Sequence, residues 1–469
     1  MTTLGPGLDH ALGQPPTQSL LQLQQDIEAT LAQPVLERAT WGIVVRSVAS
    51  GETFYSVNPH RLLMPASNMK IVTLAAAADR LGWNFSYETR LVAVGTIERG
   101  VLSGDLVVVG SGDPSLDDWD GDATRLFASW AKALKANGIS TINGRIVGDD
   151  NAIDDDWLGF GWQWDDLDQS FASGIAALTF NENTVKVTIA PGAEESAPAR
   201  VTLGAESSGL TLRNLSRTGA PSVPASIETR RLAGGRVFEV RGTMPLGTPP
   251  RSINAAVFNP TIYYVSALRA ALVANGIQVR GEAVDIDDVS MPALDSGRLI
   301  LSYYSPPLPS LARTMMKLSQ NLFAESLMYS TGADAARAVF EGWGIPRDEV
   351  LIADGSGLSR YNLVTAEAMA TILMRVAGDE RLREPFLVSL PIAGRDGSLD
   401  NRMKSTAAEG NARAKTGSFT NARALSGYLR TADGEPLVFS IIANNYNAPT
   451  ALIDQATDSI VVRLAQFKR

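Results

Sequence analysis

The chain has 469 residues, 45% of them hydrophobic and 19% charged, enough to bury a large core and to form two or three domains. A formal net charge of -9, with no run of Lys and Arg longer than a couple of residues, argues against nucleic acid or an anionic membrane as partner. Cysteine is absent and the only histidines, His10 and His60, sit in unrelated contexts, so disulfides, thiolate chemistry, a Ser-His-Asp triad and a histidine-rich metal site are set aside. Proton transfer must rely on Lys, Asp, Glu, Tyr or Ser, and no metal or cofactor is expected.

In chain order, residues 1–18 read as a flexible Gly/Pro-containing segment without a basic n-region or an apolar h-region. An amphipathic helix follows, too interrupted by Gln, Asp and Glu to span a membrane, and no later run approaches the roughly 20 apolar residues an integral segment needs. "TWGIVVRSVAS" and "ETFYSVN" alternate as a hairpin, and "PASNMKIVTLAAAADRLGW" predicts a buried helix beginning near Ser67. From 88 to 300 the texture changes to short β-type runs separated by turn residues, with two helical patches. "GSGDPSL" (110–116) reads as a tight turn, and no Lys-Ser/Thr follows its glycines to make a phosphate loop. Helical texture then returns, and "ARAKTGSF", "ARALSGYLR" and "EPLVFSIIANN" read as three antiparallel strands before a C-terminal helix. The expected architecture is α+β. A domain of residues 19–87 and 301–469 holds a five-stranded antiparallel sheet flanked by helices, interrupted by an accessory domain (88–181 and 256–300) with a β-rich subdomain (182–255) nested in it.

Three short patterns carry chemistry. Ser67 and Lys70, at i and i+3, share a helix face, so an amine can reach a hydroxyl. Alone the pair is weak evidence, because "SWAK" at 129–132 has the same spacing on what looks like a solvated face. Lysine is a poor base at its usual pKa of about 10.4, but a second cation or desolvation lowers it. Lys415, at the start of "KTG" on an expected edge strand, is taken as that cation, and Gly417 is taken to allow close backbone approach by a substrate. "RTG" at 217–219 is a near-match. The third pattern is "SQN", Ser319 to Asn321, inside a helical stretch; "SVN" at 56 and "SIN" at 252 match it too. What singles out one of each is their order, Ser-x-x-Lys, then Ser-x-Asn, then Lys-Thr-Gly, the set found in β-lactamases and penicillin-binding proteins.

At these residues the chain resembles the penicillin-binding active-site-serine acyltransferases. The step of 249 positions from Lys70 to Ser319, with "SPPLPSLARTMMKLSQNLFAE" and "DGSGLSRYNLVTA", narrows the resemblance to the D-alanyl-D-alanine carboxypeptidase/endopeptidase family of class C low-molecular-mass penicillin-binding proteins. That resemblance implies a β-lactamase/transpeptidase-like domain, a peptidoglycan stem peptide as substrate and β-lactams as covalent inhibitors. It implies Ser67 as nucleophile, Lys70 as its base, Ser319 as proton relay and Asn321 as the group orienting Lys70 and the peptide amide. Lys415 would supply positive charge near the terminal carboxylate, with Thr416 and Ser418 as further donors and the backbone N–H groups of Ser67 and Ser418 as an oxyanion hole. Asp166, in "GWQWDDLDQSF", would bind a free amine on the stem peptide, and Arg360 would line the same cleft. An acidic surface loop and an exposed turn arginine are the other readings of these two.

A β-lactamase is the alternative enzyme, but the large insertion counts against it and no glutamate stands out as its water-activating base. A non-catalytic penicillin sensor is the alternative outside enzymes, disfavoured by the complete motif set. A peptidoglycan substrate implies a periplasmic or extracytoplasmic location. A signal is not visible after Met1, so a trimmed or late-assigned start is expected. Oligomeric state is left open.

Overall fold

A computed structural model describes residues 18–118, 121–290 and 294–469. The expected flexible segment falls outside this range apart from Gln18, which begins the helix Gln18–Leu31.

The five-stranded sheet forms as the alternation predicts. Its order is Thr53–Val57, Thr40–Ser47, Pro436–Asn444, Ala422–Arg430 and Arg413–Phe419, antiparallel throughout. The last strand is an edge, and it carries Lys415 and Gly417. Side chains alternate across each strand, so one face packs Leu425, Leu429, Phe439 and Ile441 against the helices Gln18–Leu31 and Thr450–Gln466. The opposite face turns Ala424, Tyr428, Val438 and Ile442 toward the helices Met69–Leu81, Leu308–Lys317, Asn321–Thr331 and Ala366–Gly378.

The register places the site. Lys415 pairs with Ser426, Ser426 with Ser440 and Ser440 with Val44, forming one row across the sheet. Two serines in the row leave room for the start of the Met69–Leu81 helix to come close. Asn68 Nδ2 donates to Ser426 Oγ at 2.9 Å, and that hydroxyl donates to Ser440 Oγ at 3.0 Å. The helix itself is hydrophobic almost all round, with Met69 to Ala78 all buried, as a central core helix must be.

Strands from Glu88 to Tyr304 pair only with one another among the described residues, never with the five-stranded sheet. The largest of their sheets is built on Glu88–Glu98, Val101–Val109 and Arg298–Tyr304, and the helices Asp122–Ala136 and Pro260–Ala274 pack on it. The decoy "SWAK" lies on the first of these helices with Ser129 and Lys132 exposed. Residues 150–175 contain no strand and leave this sheet to reach the helical face of the other. Trp162 Nε1 donates to Asp354 Oδ2 at 3.1 Å, and the Asp154 N–H donates to the Tyr329 hydroxyl at 2.8 Å.

Candidate active site

Ser67 lies in a 3-10 turn, Ala66–Asn68, that runs directly into the helix Met69–Leu81, so the α-helix proper begins two residues after Ser67. Ala66, just before it, holds φ +46°, a conformation L-residues rarely adopt and one that persists where surrounding structure enforces it. Gly357 and Gly417 are part of that enforcement. A Cβ on Gly357 would meet the Ala66 carbonyl, and one on Gly417 would meet the Pro65 carbonyl oxygen. Only glycine lets both chains press so closely against the serine's turn.

"SQN" is not inside a helix. The chain breaks between Leu308–Lys317 and Asn321–Thr331, and Ser319 sits in the break with φ +60°. Gln320 caps the second helix by accepting from the Leu322 N–H at 2.9 Å. The break aims Ser319 and Asn321 at the two lysines, which a continuous helix through these residues would not do.

Lys70 and Lys415 are both fully buried. The Lys70 amine donates to Ser67 Oγ at 2.9 Å, Asn321 Oδ1 at 2.6 Å and the Ser356 carbonyl at 2.8 Å, which uses its three donor positions. Lys415 Nζ lies 2.9 Å from Ser319 Oγ and 3.0 Å from its neighbour's carbonyl on Thr416. Burial lowers the Lys70 pKa to about 7, partly opposed by the negative charges of Glu325 and Asp354. Here the sequence expectation needs correcting: desolvation, rather than Lys415, is what depresses Lys70. The repulsion between the two amines falls on Lys415, which burial and the Lys70 charge hold well below the usual lysine range. Lys70 has two carboxylates to support its proton, whereas Lys415 has none among its perturbers.

Glu325 was not singled out from the sequence, although an acid on the apolar stretch "NLFAESLM" is a signal. It is buried, and its two carboxylate oxygens accept the N–H groups of Gly355 and Ser356 at 2.9 and 2.8 Å. Burial and the charge of Asp354 push its carboxyl well above the usual range, against the pull of these N–H donors. Glu325 thereby fixes the loop whose Ser356 carbonyl receives Lys70. Asp354 fixes the rest of the loop, accepting from the Gly357 N–H and from Asn362 Nδ2, both at 2.7 Å.

In front of these groups lies a cleft of about 580 Å³ lined by Ser67, Ser319, Asn321, Asp166, Arg360 and Ser418 among others. Thr416 is not brought to the cleft wall; its hydroxyl donates to Ser398 Oγ at 2.8 Å. Arg360 bonds to Gln163 Oε1 at 3.0 Å and Asn421 Oδ1 at 2.8 Å and stacks 4.7 Å over the Phe419 ring. Asp166 is raised by burial and by Asp165, and lowered by Arg360. Asn321 Nδ2 donates to the Phe171 carbonyl at 2.7 Å, so the 150–175 segment bonds directly to a motif residue. Chemically, a buried amine able to lose its proton near neutrality stands within hydrogen-bond reach of a half-buried serine hydroxyl. That is the arrangement of a base and the nucleophile it activates.

The profile of the D-Ala-D-Ala carboxypeptidase 3 (S13) family matches residues 23–467. The chain belongs to this family. It is 35% identical to a D-alanyl-D-alanine carboxypeptidase of an Actinomadura species over 100% of this chain and 88% of that one. To the Haemophilus influenzae D-alanyl-D-alanine carboxypeptidase DacB it is 28% identical, over 94% and 91% of the two chains. The crystal structure of Haemophilus influenzae penicillin binding protein 4 superposes with a TM-score of 0.81 at 26% identity, covering 94% of this chain and 99% of that one. The activity is that of a serine-type D-Ala-D-Ala carboxypeptidase. Among the described residues no helix is long and apolar enough to cross a membrane.

Glu325→Gln removes a carboxyl whose ionised form raises Lys70 and leaves one buried N–H without its acceptor. The pH at half-maximal β-lactam acylation is expected to move below that of the parent enzyme, with a loss of about 1–3 kcal/mol in unfolding free energy. A purely structural role for Glu325 predicts the stability loss with an unmoved pH midpoint.

Proposed function

We propose that Ser67 is the nucleophile of this carboxypeptidase and neutral Lys70 its general base. The observation that carries this reading is the 2.9 Å contact between them at an amine held near pKa 7 by burial. Ser67 Oγ attacks the carbonyl carbon between the two terminal D-alanines while its proton passes to Lys70. The developing oxyanion takes the N–H groups of Ser67 and Ser418, each donor contributing about 3 to 4 kcal/mol to the barrier reduction. Collapse breaks the C–N bond, and Ser319 Oγ passes its proton to the departing D-alanine nitrogen while taking up the one Lys70 received from Ser67, which leaves Lys70 neutral again. Water then cleaves the Ser67 ester by the same machinery, returning the serine its proton.

Asn321 orients Lys70 and the peptide amide. Lys415 meets the substrate's terminal carboxylate, an anion that restores the proton burial had removed, and the Ser418 hydroxyl adds a donor there. Thr416 joins it on turning from Ser398. Asp166 takes a free amine on the third stem-peptide residue, and Arg360 holds the cleft wall through Gln163, Asn421 and Phe419. Residues 19–87 with 301–469 make the catalytic domain in this reading, and the inserted residues supply the substrate-selecting segment. A β-lactam forms the same ester, but its leaving nitrogen stays tethered. The substrate lies in the cell wall, so the enzyme works outside the cytoplasmic membrane, and the same bond on a cross-linked peptide makes endopeptidase action its second reaction.

Labelling with a fluorescent β-lactam is expected to place a long-lived adduct on Ser67, absent in Ser67→Ala and slowed about 100-fold or more in Lys70→Ala. An adduct on another residue, or unchanged acylation in Lys70→Ala, contradicts the assignment. D-Ala release from a pentapeptide and product from a cross-linked dimer report the two reactions. For Asp166→Asn, KM for pentapeptides with a free amine on the third residue should rise about tenfold or more, with amine-acetylated peptides unaffected. An equal change for both peptides rules out the amine contact.

A further inference from the structure

Far from Ser67, three carboxylates converge where the inserted segment leaves its sheet. Asp150 follows the strand Ile146–Asp149, and Asp285 ends the parallel neighbouring strand Ala283–Asp285. Asp287 lies one turn further on. One carboxylate oxygen from each lies within 4.8 Å of the others, and Asp150 and Asp285 are 2% and 3% exposed. Thr261 Oγ1 donates to Asp150 Oδ2, and Asn259 Nδ2 donates to Asp285 Oδ2 at 2.8 Å. Asp150 Oδ1 is buried with no hydrogen-bond partner at all.

Something positive must face that oxygen. No Lys or Arg pairs with Asp150, Asp155, Asp285 or Asp287 among the described residues. The start of the helix Pro260–Ala274 is adjacent, but a helix N-terminus offers only about half a charge against three or four carboxylates. A calcium-sized cation answers both the unpartnered oxygen and the uncompensated charge: with oxygen ligands at about 2.3–2.6 Å, two ligands on one ion lie at most about 5 Å apart, as these do. Asp155, from the inserted segment, lies within hydrogen-bond reach of the Asp287 carboxyl and is near enough to join them.

We propose that Asp150, Asp285 and Asp287, together with Asp155, hold a hard divalent cation of the calcium class. The missing cysteines and the scarce histidines set aside soft metal sites, but they leave an all-oxygen site open. The cation joins two strand ends to the root of residues 150–175, the segment that carries Asp166 and whose Phe171 carbonyl receives Asn321.

The test is Tb3+ luminescence excited through tryptophan on the chelator-treated full chain, with Ca2+ as competitor. Trp157 lies two residues from Asp155 to sensitise it. Expected is Ca2+-displaceable emission with a Ca2+ dissociation constant on the order of 10^-4 to 10^-3 M. Saturating Ca2+ should raise Tm by about 2 °C. Asp150→Asn should lose the displaceable emission while remaining at least as stable as the parent without Ca2+, because it relieves repulsion. Asp287→Asn, at an exposed position that does not threaten folding, should weaken Ca2+ about tenfold or more. Two results overturn the proposal: no Ca2+-displaceable emission in the parent chain, or equal emission in all three proteins. Mg2+ displacing Tb3+ as well as Ca2+ does overturns the calcium assignment.

Discussion

The site depends on one constraint, an amine that has lost its water. Lys70 is fully buried, and its three donor positions are taken by a serine hydroxyl, an asparagine carbonyl and a backbone carbonyl. None of the three is an anion, so these contacts compensate only part of the charge removed from water, and burial favours the neutral amine. Glu325 and Asp354 supply negative charge from further away, enough to leave the pKa at about 7 rather than lower. The other features follow from holding that amine there: the serine-bearing row in the sheet, the glycines against the Ser67 turn, and the loop fixed by Glu325.

Two long-range contacts complete the site, and both come from chain far away in sequence. The break at Ser319 brings Asn321 to Lys70 and a hydroxyl to Lys415. The 150–175 segment then bonds to Asn321 from the other side through the Phe171 carbonyl and lays Asp166 along the cleft. An insertion that would otherwise be a passenger thus touches Asn321, and the inserted segment and Lys70 are bonded to one side-chain amide.

Much of this was legible in the sequence, for identifiable reasons. The hairpin and the three late strands alternate with period two, so the five-stranded sheet and the edge position of Lys415 could be read directly. Ser67 and Lys70 could be read because their spacing puts them together and the order of the later motifs separates them from the like-spaced Ser129 and Lys132. The break at Ser319 could not, because "MMKLSQNLFA" favours helix on both sides and a positive φ at serine leaves no local mark. Glu325 was hidden for a related reason: a lone acid in a helix usually faces water, and only the fold shows two backbone N–H groups waiting for it. The source of the Lys70 shift needed the fold too, since burial is a tertiary property and the second lysine was the only cause visible in one dimension. Asp150 and Asp285 lie 135 residues apart, and nothing in one dimension brings them together.

If burial sets the reactivity of Ser67, the titration of Lys70 in the free enzyme measures it directly. Following the lysine 13Cε chemical shift against pH, with Lys70→Arg to assign the signal, should give a midpoint near 7. A midpoint near the ordinary lysine value of about 10.4 would mean that Lys70 stays charged at working pH, and that the base which activates Ser67 is some other group.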